Sequence, residues 1–121
     1  MDKKKILVVD DDSAICELLK IFLENHDCSV TTEATAEGAL AQIRIHQFDL
    51  VLLDIMLGEY SGFQVLQSIK KTSPQVSVIM ITGDRDIVLA KECLDEGADD
   101  YISKPFDFEY LRESVFASLF L

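Results

Sequence analysis

The sequence is poor in cysteine and in basic residues, and each shortage excludes a class of protein. Its 121 residues include 3 cysteines, widely spaced and without a C-x-x-C pair, so they favour neither a disulfide framework nor a zinc site. We interpret them as small apolar residues of a protein in a reducing cytoplasm. With 11 Lys plus Arg against 22 Asp plus Glu, the net charge is -11. This charge argues against direct nucleic-acid binding, because basic side chains must neutralise the phosphates there.

The chain also lacks long apolar runs and the composition of a linker. Lys3, Lys4 and Lys5 precede the short apolar run ILVV, which is too short for the core of a signal peptide or for a membrane span. No stretch rich in Pro, Gly or Ser marks an internal boundary. The sequence therefore predicts one soluble cytoplasmic domain over residues 1–121, with a single core.

Short apolar runs alternate with segments of helical periodicity along the whole chain. The runs predict strands at residues 6–9, 30–32, 50–53, 76–81 and 101–102. Apolar spacings of three and four predict a helix after each strand, with inner faces formed by Ile15, Leu18, Leu19 and Phe22; Ala36, Ala39, Leu40 and Ile43; Phe63, Leu66 and Ile69; Ile87, Ala90 and Leu94; and Phe108, Leu111, Val115 and Leu119. Strand–helix pairs with right-handed crossovers make an α/β fold, a doubly wound parallel sheet with helices on both faces.

Residues suited to helix ends flank several of these segments. Thr35 and Asp107 are suitable N-caps of the second and fifth helices, and Asp12 or Ser13 caps the first. Gly97 suits a left-handed residue at the end of the fourth helix. These signals place the residues that follow each strand in short loops.

Polar residues occupy those loops. They are Asp10, Asp11 and Asp12 after the first strand, Asp54 after the third, Thr82 and Gly83 after the fourth, and Lys104 and Pro105 after the fifth. The carboxyl ends of parallel strands lie along one edge of a sheet, where ligands bind, so we expect these side chains to lie close together. Crowded carboxylates repel one another and take up protons when buried, unless a cation is supplied.

This set of residues suits a phosphoryl-transfer site. An aspartate can accept a phosphoryl group as an acyl phosphate if the charge on the peripheral oxygens is neutralised. Magnesium prefers such hard oxygen ligands, and Asp11 and Asp54 are the carboxylates expected to bind it, with Asp10 nearby through water. Lys104 supplies a mobile positive charge, and the Thr82 hydroxyl can donate to a phosphoryl oxygen.

Four segments, in order and over nearly the whole chain, carry a family resemblance. They are ILVVDDD, LVLLDIMLGEYSG, VIMITG and DYISKPF. With them the sequence resembles a response-regulator receiver domain of two-component signalling. The resemblance implies a (βα)5 flavodoxin-like fold, whose five-stranded parallel sheet has the order 2-1-3-4-5.

The resemblance also implies a role for each residue at the sheet edge. Asp54 is the phosphorylated residue, and Asp10 and Asp11 form the acidic pair. The metal is Mg²⁺, bound by Asp11, Asp54 and the backbone carbonyl of Met56, with Asp10 acting through water. Lys104 pairs with the phosphoryl group.

A second group of implied roles concerns signal output. Thr82 closes on the phosphoryl group, and Tyr101 turns inward when Thr82 leaves space. Pro105 follows a peptide bond that is typically cis in this family. The fourth helix, fifth strand and fifth helix present the output surface, through which a homodimer can form. The implied partners are a sensor histidine kinase or phosphotransfer protein upstream and an effector domain or protein downstream.

Two positions depart from the family pattern. Gly58 stands four residues after the phosphorylated Asp, where members usually have Pro, which predicts a more flexible loop. Asp84, two residues beyond Thr82, adds a negative charge near the mouth of the site. We expect this charge to alter how readily water attacks the acyl phosphate.

The carboxyl-terminal residues lie off the predicted inner face of the last helix. Phe116, Phe120 and Leu121 are expected to form an exposed apolar patch or to pack on further residues. The abrupt apolar end suggests the N-terminal part of a longer regulator, although a single-domain regulator would end in the same way.

Two other functions stay open on sequence. Asp10 and Asp12 resemble the D-x-D motif of haloacid-dehalogenase-type phosphatases, with Asp10 as nucleophile and Asp12 as general acid, but this leaves Asp54 idle. A receiver-like docking module that never binds phosphate is the third possibility. His26 and His46 lie near predicted helix ends without a metal-ligand neighbour, and no function is assigned to them.

Overall fold

A computed structural model describes residues 2–83 and 87–121, apart from the side chain of Tyr60. The elements in chain order are β1 (Lys4–Val9), α1 (Ser13–Glu24), β2 (Cys28–Glu33), α2 (Ala36–Ile45), β3 (Leu50–Asp54), β4 (Met56–Leu57), β5 (Tyr60–Ser61), α3 (Gly62–Thr72), β6 (Ser77–Thr82), α4 (Ile87–Asp95), β7 (Asp100–Ser103) and α5 (Phe108–Phe120). Strands β4 and β5 form a small antiparallel hairpin apart from the main sheet. The described helices include none long and apolar enough to cross a membrane.

The main sheet has five strands in the order β2-β1-β3-β6-β7, and every neighbouring pair is parallel. Counted within this sheet alone, the order is 2-1-3-4-5, which confirms the predicted fold. The central strand β3 is buried along its whole length, because helices cover both faces of a doubly wound sheet. The four consecutive apolar residues LVLL, followed by Asp54, are what such a buried central strand requires.

The sheet separates two hydrophobic clusters. Helices α1 and α5 pack on one face with Leu50 and Leu52 of β3. Helices α2, α3 and α4 pack on the other face with Val51 and Leu53. Successive strand residues point to opposite faces, so β3 contributes side chains to both clusters.

The predicted inner faces of three helices need correction. In α1, Leu18 is 42% exposed, whereas Cys16 and Leu23 are buried beside Leu19. The buried face is therefore turned by one position from the predicted one. Apolar residues at 15, 18, 19 and 22 admit two neighbouring faces, and the burial of Cys16 and Leu23 shows which of them packs on the sheet.

The same error affects α4 and, to a smaller extent, α5. Ile87 and Leu94 were expected inside, but they are 38% and 37% exposed. Ala90 is fully buried as predicted, and Cys93, which the prediction did not include, is fully buried as well. In α5 the predicted inner residue Phe108 is 39% exposed.

The helix-end predictions are confirmed. Asp12, Thr35 and Asp107 are N-caps whose side chains accept hydrogen bonds from main-chain N–H groups of the first turn. Gly97 has a φ of 106°, the left-handed conformation expected after α4.

The cysteines and the carboxyl-terminal residues also behave largely as predicted. All three cysteines are buried free thiols. Phe120 is 62% exposed, and Leu121 is exposed beside it. Phe116 is half-buried, with its ring tilted against that of Phe120 and edge-on to that of His26.

Candidate functional site

The carboxyl ends of the main-sheet strands bring the predicted site residues to one edge. Asp10 follows β1, Asp54 ends β3, Thr82 ends β6 and Lys104 follows β7. Main-chain hydrogen bonds fix these ends: the Lys104 N–H donates to the Thr82 carbonyl at 2.8 Å, and the Ile55 N–H donates to Ile81 at 3.0 Å. Asp54 and Thr82 therefore belong to the strands themselves, and Asp10 and Lys104 directly follow strands.

Three carboxylates form the centre of the site. Asp10, Asp11 and Asp54 each place one carboxylate oxygen within 4.8 Å of the others. Asp10 is fully buried, Asp54 is 7% exposed, and Asp11 is exposed. The cluster thus combines two buried acids with one that is exposed to solvent.

Lys104 supplies positive charge to the two buried acids. Its Nζ lies 2.9 Å from Asp10 Oδ2 and 3.5 Å from Asp54 Oδ2. The short approach to Asp10 is an ion pair without hydrogen-bond geometry, since Asp10 Oδ2 is buried and has no hydrogen-bond partner among the described residues. The positive charge of Lys104, 2.9 Å away, compensates that oxygen.

Burial and neighbouring groups shift the pKa values of Asp54 and Lys104. Burial, and then the charge of Asp10, raise the pKa of Asp54 to about 6, although Lys104 and the Met56 N–H act in the opposite direction. Burial lowers the pKa of Lys104, but its contacts with Asp10 and Asp54 outweigh this and raise it overall. Lys104 is therefore a permanent cation here, and Asp54 ionises with more difficulty than a surface aspartate.

This donor set fits a divalent cation. Three carboxyl groups converge beside a single ammonium, and a buried oxygen of Asp10 lacks a directed hydrogen bond among the described residues. Hard oxygen ligands with an exposed side for water are the environment that Mg²⁺ prefers. The residues present can hold such an ion.

The β4–β5 hairpin, which the sequence prediction missed, lies directly on the acids. The Met56 N–H donates to Asp54 Oδ1 at 3.2 Å, and the Gly58 N–H donates to Asp11 Oδ2 at 3.3 Å. Gly58 and Glu59 form the two-residue turn between the paired strands. A glycine at the first position of such a turn is a hairpin signal, and it was present in the sequence.

Gly62 is the second glycine on which the loop depends. A Cβ atom here would overlap with the carbonyl oxygen of Asp54 and crowd the main chain of Ile55. The start of α3 can therefore press against the end of β3. Ser61 caps this helix by accepting a hydrogen bond from the Phe63 N–H at 3.1 Å.

The predicted switch residues occupy neighbouring strands. Thr82 is fully buried, and its hydroxyl donates to the Gly83 carbonyl at 2.9 Å. Tyr101 in β7 is partly buried against the cluster on the α2–α3–α4 face. The Lys104–Pro105 peptide bond is cis, as the resemblance implies.

Other predicted residues take structural positions or lie outside the description. The Asp12 carboxylate accepts the Ala14 N–H at 2.9 Å as the cap of α1 and does not belong to the acidic cluster. His26 Nδ1 lies 2.8 Å from the Phe22 carbonyl, away from the acids. Asp84 is outside the described residues.

A polar cluster between β7 and α5 had no counterpart in the sequence prediction. Asp100 Oδ2 accepts hydrogen bonds from the Tyr110 hydroxyl at 2.7 Å and from the Ser114 hydroxyl at 2.6 Å. The bond to Asp100 is the main reason why the pKa of Tyr110 is raised to about 12. This cluster ties the fifth helix to the edge strand of the main sheet.

Comparison with known proteins agrees with this architecture. Residues 6–116 match the family model of the response regulator receiver domain. The chain is 38% identical over 113 residues to the transcriptional regulatory protein ZraR of Salmonella typhimurium, covering 93% of this chain and 26% of that protein. It is also 38% identical over 119 residues to the transcriptional regulatory protein YkoG of Bacillus subtilis, covering 98% of this chain and 52% of that protein. The chain thus spans about a quarter to a half of these relatives.

Solved structures give the same result. The receiver domain of NtrX from Brucella abortus superposes with a TM-score of 0.90 at 36% identity, covering 94% of this chain and 97% of that one. A CheY-like receiver domain protein from Methanospirillum hungatei gives a TM-score of 0.92 at 37% identity, covering 98% and 94%. With its sheet order, its acidic edge and these likenesses taken together, the chain belongs to the response regulator receiver domain family of two-component systems.

Proposed function

We propose that this domain is a phosphorylation-operated signalling switch in which Asp54 accepts a phosphoryl group from the phosphohistidine of a sensor histidine kinase or phosphotransfer protein. One observation carries the proposal. Asp10, Asp11 and Asp54 converge within 4.8 Å, with the Lys104 ammonium in contact with the two buried members. Such a set can bind a divalent cation and the oxygens of a transferring phosphoryl group.

The chain's own residues have distinct parts in the transfer. A carboxylate oxygen of Asp54 attacks the phosphorus, the bond between phosphorus and imidazole nitrogen breaks, and the nitrogen keeps the electron pair. Lys104 lies 3.5 Å from Asp54 Oδ2 and is placed to pair with a phosphoryl oxygen. The Met56 N–H holds the other Asp54 oxygen, Oδ1, and so orients the nucleophile.

Magnesium, when bound, neutralises charge that develops on the peripheral phosphoryl oxygens. Asp11, Asp54 and the Met56 carbonyl are the proposed protein ligands, and Asp10 is proposed to act through water. The chain promotes its own phosphorylation and slow dephosphorylation in this scheme, and it has no separate substrate as an enzyme would.

The new charge is proposed to act on the output surface through Thr82 and Tyr101. The Thr82 hydroxyl would exchange its bond to the Gly83 carbonyl for one to the phosphoryl group. Tyr101 on the adjacent strand would then turn inward and change the surface formed by α4, β7 and α5. A downstream effector domain or protein would read this surface, and the names of ZraR and YkoG as transcriptional regulatory proteins support such an output.

The test is phosphorylation by acetyl phosphate in the presence of magnesium, followed by reduction of the acyl phosphate and peptide mass analysis. A phosphoryl group at Asp54, absent in Asp54→Asn and retained in Asp12→Asn, supports the switch. A group at Asp10 would instead support a phosphatase. If no residue is labelled, the remaining interpretation is a docking module that does not bind phosphate. The structure already disfavours the phosphatase, because the Asp12 carboxylate caps α1.

Dimerisation through α4, β7 and α5 is a separate part of the proposal. We expect sedimentation of the protein to shift toward a dimer when beryllofluoride, which mimics the phosphoryl group, is added with magnesium. Equal sedimentation with and without it would contradict the dimer but would leave phosphorylation at Asp54 intact.

A further inference from the structure

The exposed acid of the cluster is held by a residue far away in sequence. Asp11 Oδ2 accepts the Gly58 N–H at 3.3 Å, across 47 positions of the chain. The donor belongs to the turn between β4 and β5, whose pairing of Met56 with Ser61 and of Leu57 with Tyr60 fixes its position. The same hairpin provides the Met56 N–H to Asp54 Oδ1. One small hairpin thus contacts two of the three acids.

This contact depends on the backbone conformation of Gly58. Its φ is 59°, in the left-handed region that glycine adopts without strain and that most other residues avoid. No heavy atom lies within 4 Å of the position of a Cβ, so the requirement for glycine concerns φ and leaves room for a side chain. Proline is incompatible with this position for two reasons: its ring fixes φ near −65°, and it has no N–H to donate to Asp11.

We propose that the Gly58 main-chain N–H is a positioning group that orders the Asp11 carboxylate for magnesium. An exposed aspartate samples several rotamers, and ordering it costs free energy when a metal binds. A hydrogen bond made before binding lowers that cost. The carboxylate oxygen has a second lone pair, so it can accept the N–H and bind a cation together. This inference rests on the proposed function, since it concerns the same magnesium site.

The first test compares magnesium binding by isothermal titration calorimetry in two matched variants. Gly58→Asn keeps the N–H, and Asn tolerates a positive φ better than other residues. Its Kd is expected to stay within about twofold of the wild-type value. Gly58→Pro loses both the donor and the conformation, and its Kd is expected to rise about fivefold, as for a partly exposed hydrogen bond to a charged group. Rescue by Asn separates the lost N–H from a general effect of substitution.

The second test does not depend on the folding of the proline variant. The amide proton of Gly58 is followed by NMR in the wild-type protein and in Asp11→Ala. Loss of the acceptor is expected to move this resonance upfield. An unchanged Gly58 resonance overturns the proposal, and so does a folded Gly58→Pro variant that binds magnesium as tightly as the wild type.

Failure of this inference can be told from failure of the proposed function. If the wild-type protein binds magnesium and is labelled at Asp54 while both Gly58 variants bind equally well, only the positioning role is wrong. If the wild-type protein neither binds magnesium nor is labelled, the proposed function is wrong, and the inference fails with it.

Discussion

Replacing Asp54 by asparagine is expected to stabilise the metal-free protein. Burial and the charge of Asp10 raise the pKa of Asp54 from 3.8 to about 6, so the folded state disfavours the ionised carboxylate. Each pKa unit corresponds to about 1.4 kcal/mol, and the difference therefore amounts to at most about 3 kcal/mol at pH 8. Asparagine has nearly the same shape, carries no charge, and keeps an oxygen to accept the Met56 N–H.

The pH dependence follows from the direction of the shift. Between about pH 4 and 6 the folded state binds more protons at this carboxyl than the unfolded state, so ionisation destabilises the wild-type fold progressively as the pH rises. The advantage of Asp54→Asn is therefore expected to be about half as large at pH 5 as at pH 8, and to be constant above about pH 7. Saturating magnesium should narrow the difference, because it stabilises the folded wild-type protein by binding.

The assay is urea unfolding with EDTA at pH 5, 6, 7 and 8, each pH being above the pI of about 4.4. The control is Asp12→Asn, which keeps a good N-cap outside the acidic cluster and is expected to change stability little. Equal stability of Asp54→Asn and wild type at pH 8, or a difference that does not vary between pH 5 and 8, would refute the electrostatic reasoning.

Three further substitutions test contacts that support the acidic cluster and the last helix. Gly62→Ala is expected to cost about 2 kcal/mol or more of unfolding free energy in urea melts, because the new Cβ overlaps main-chain atoms; a loss below 0.5 kcal/mol would contradict the packing. Lys104→Met should destabilise the EDTA-treated protein by about 2 kcal/mol, since buried Asp10 loses its counter-charge, and a melting temperature equal to that of wild type would speak against this. Asp107→Ala removes the N-cap of α5 and should cost about 1 kcal/mol in the same melts, with Asp107→Asn as the neutral comparison.

The sequence was sufficient to predict the fold and the members of the acidic edge. Strand β3 is recognisable because a strand covered on both faces needs an unbroken apolar run. Asp10, Asp54 and Lys104 could be assigned to one site from the sequence alone, because parallel strands bring their carboxyl ends to one edge of the sheet. Their distances and burial could not be predicted, and their chemical roles stay predictions that labelling and metal binding will test.

The errors have physical causes of two kinds. The buried faces of α1 and α4 were partly misplaced because Cys16 and Cys93 were not counted among the apolar residues of these helices, although both are buried. The β4–β5 hairpin and the bonds of Tyr110 and Ser114 to Asp100 were missed for another reason. Two-residue strands show no alternation, and contacts between β7 and α5 depend on the angle at which the helix docks.

The bonds that Asp100 accepts from α5 have a mechanical consequence. Tyr110 and Ser114 lie on successive turns of α5, and both donate hydrogen bonds to the same carboxylate oxygen of Asp100 in β7. The helix is therefore attached to the edge strand through two of its turns. Tilting one without the other would break two short bonds at once. Any displacement that begins where β7 meets Lys104 is thus expected to move α5 as well.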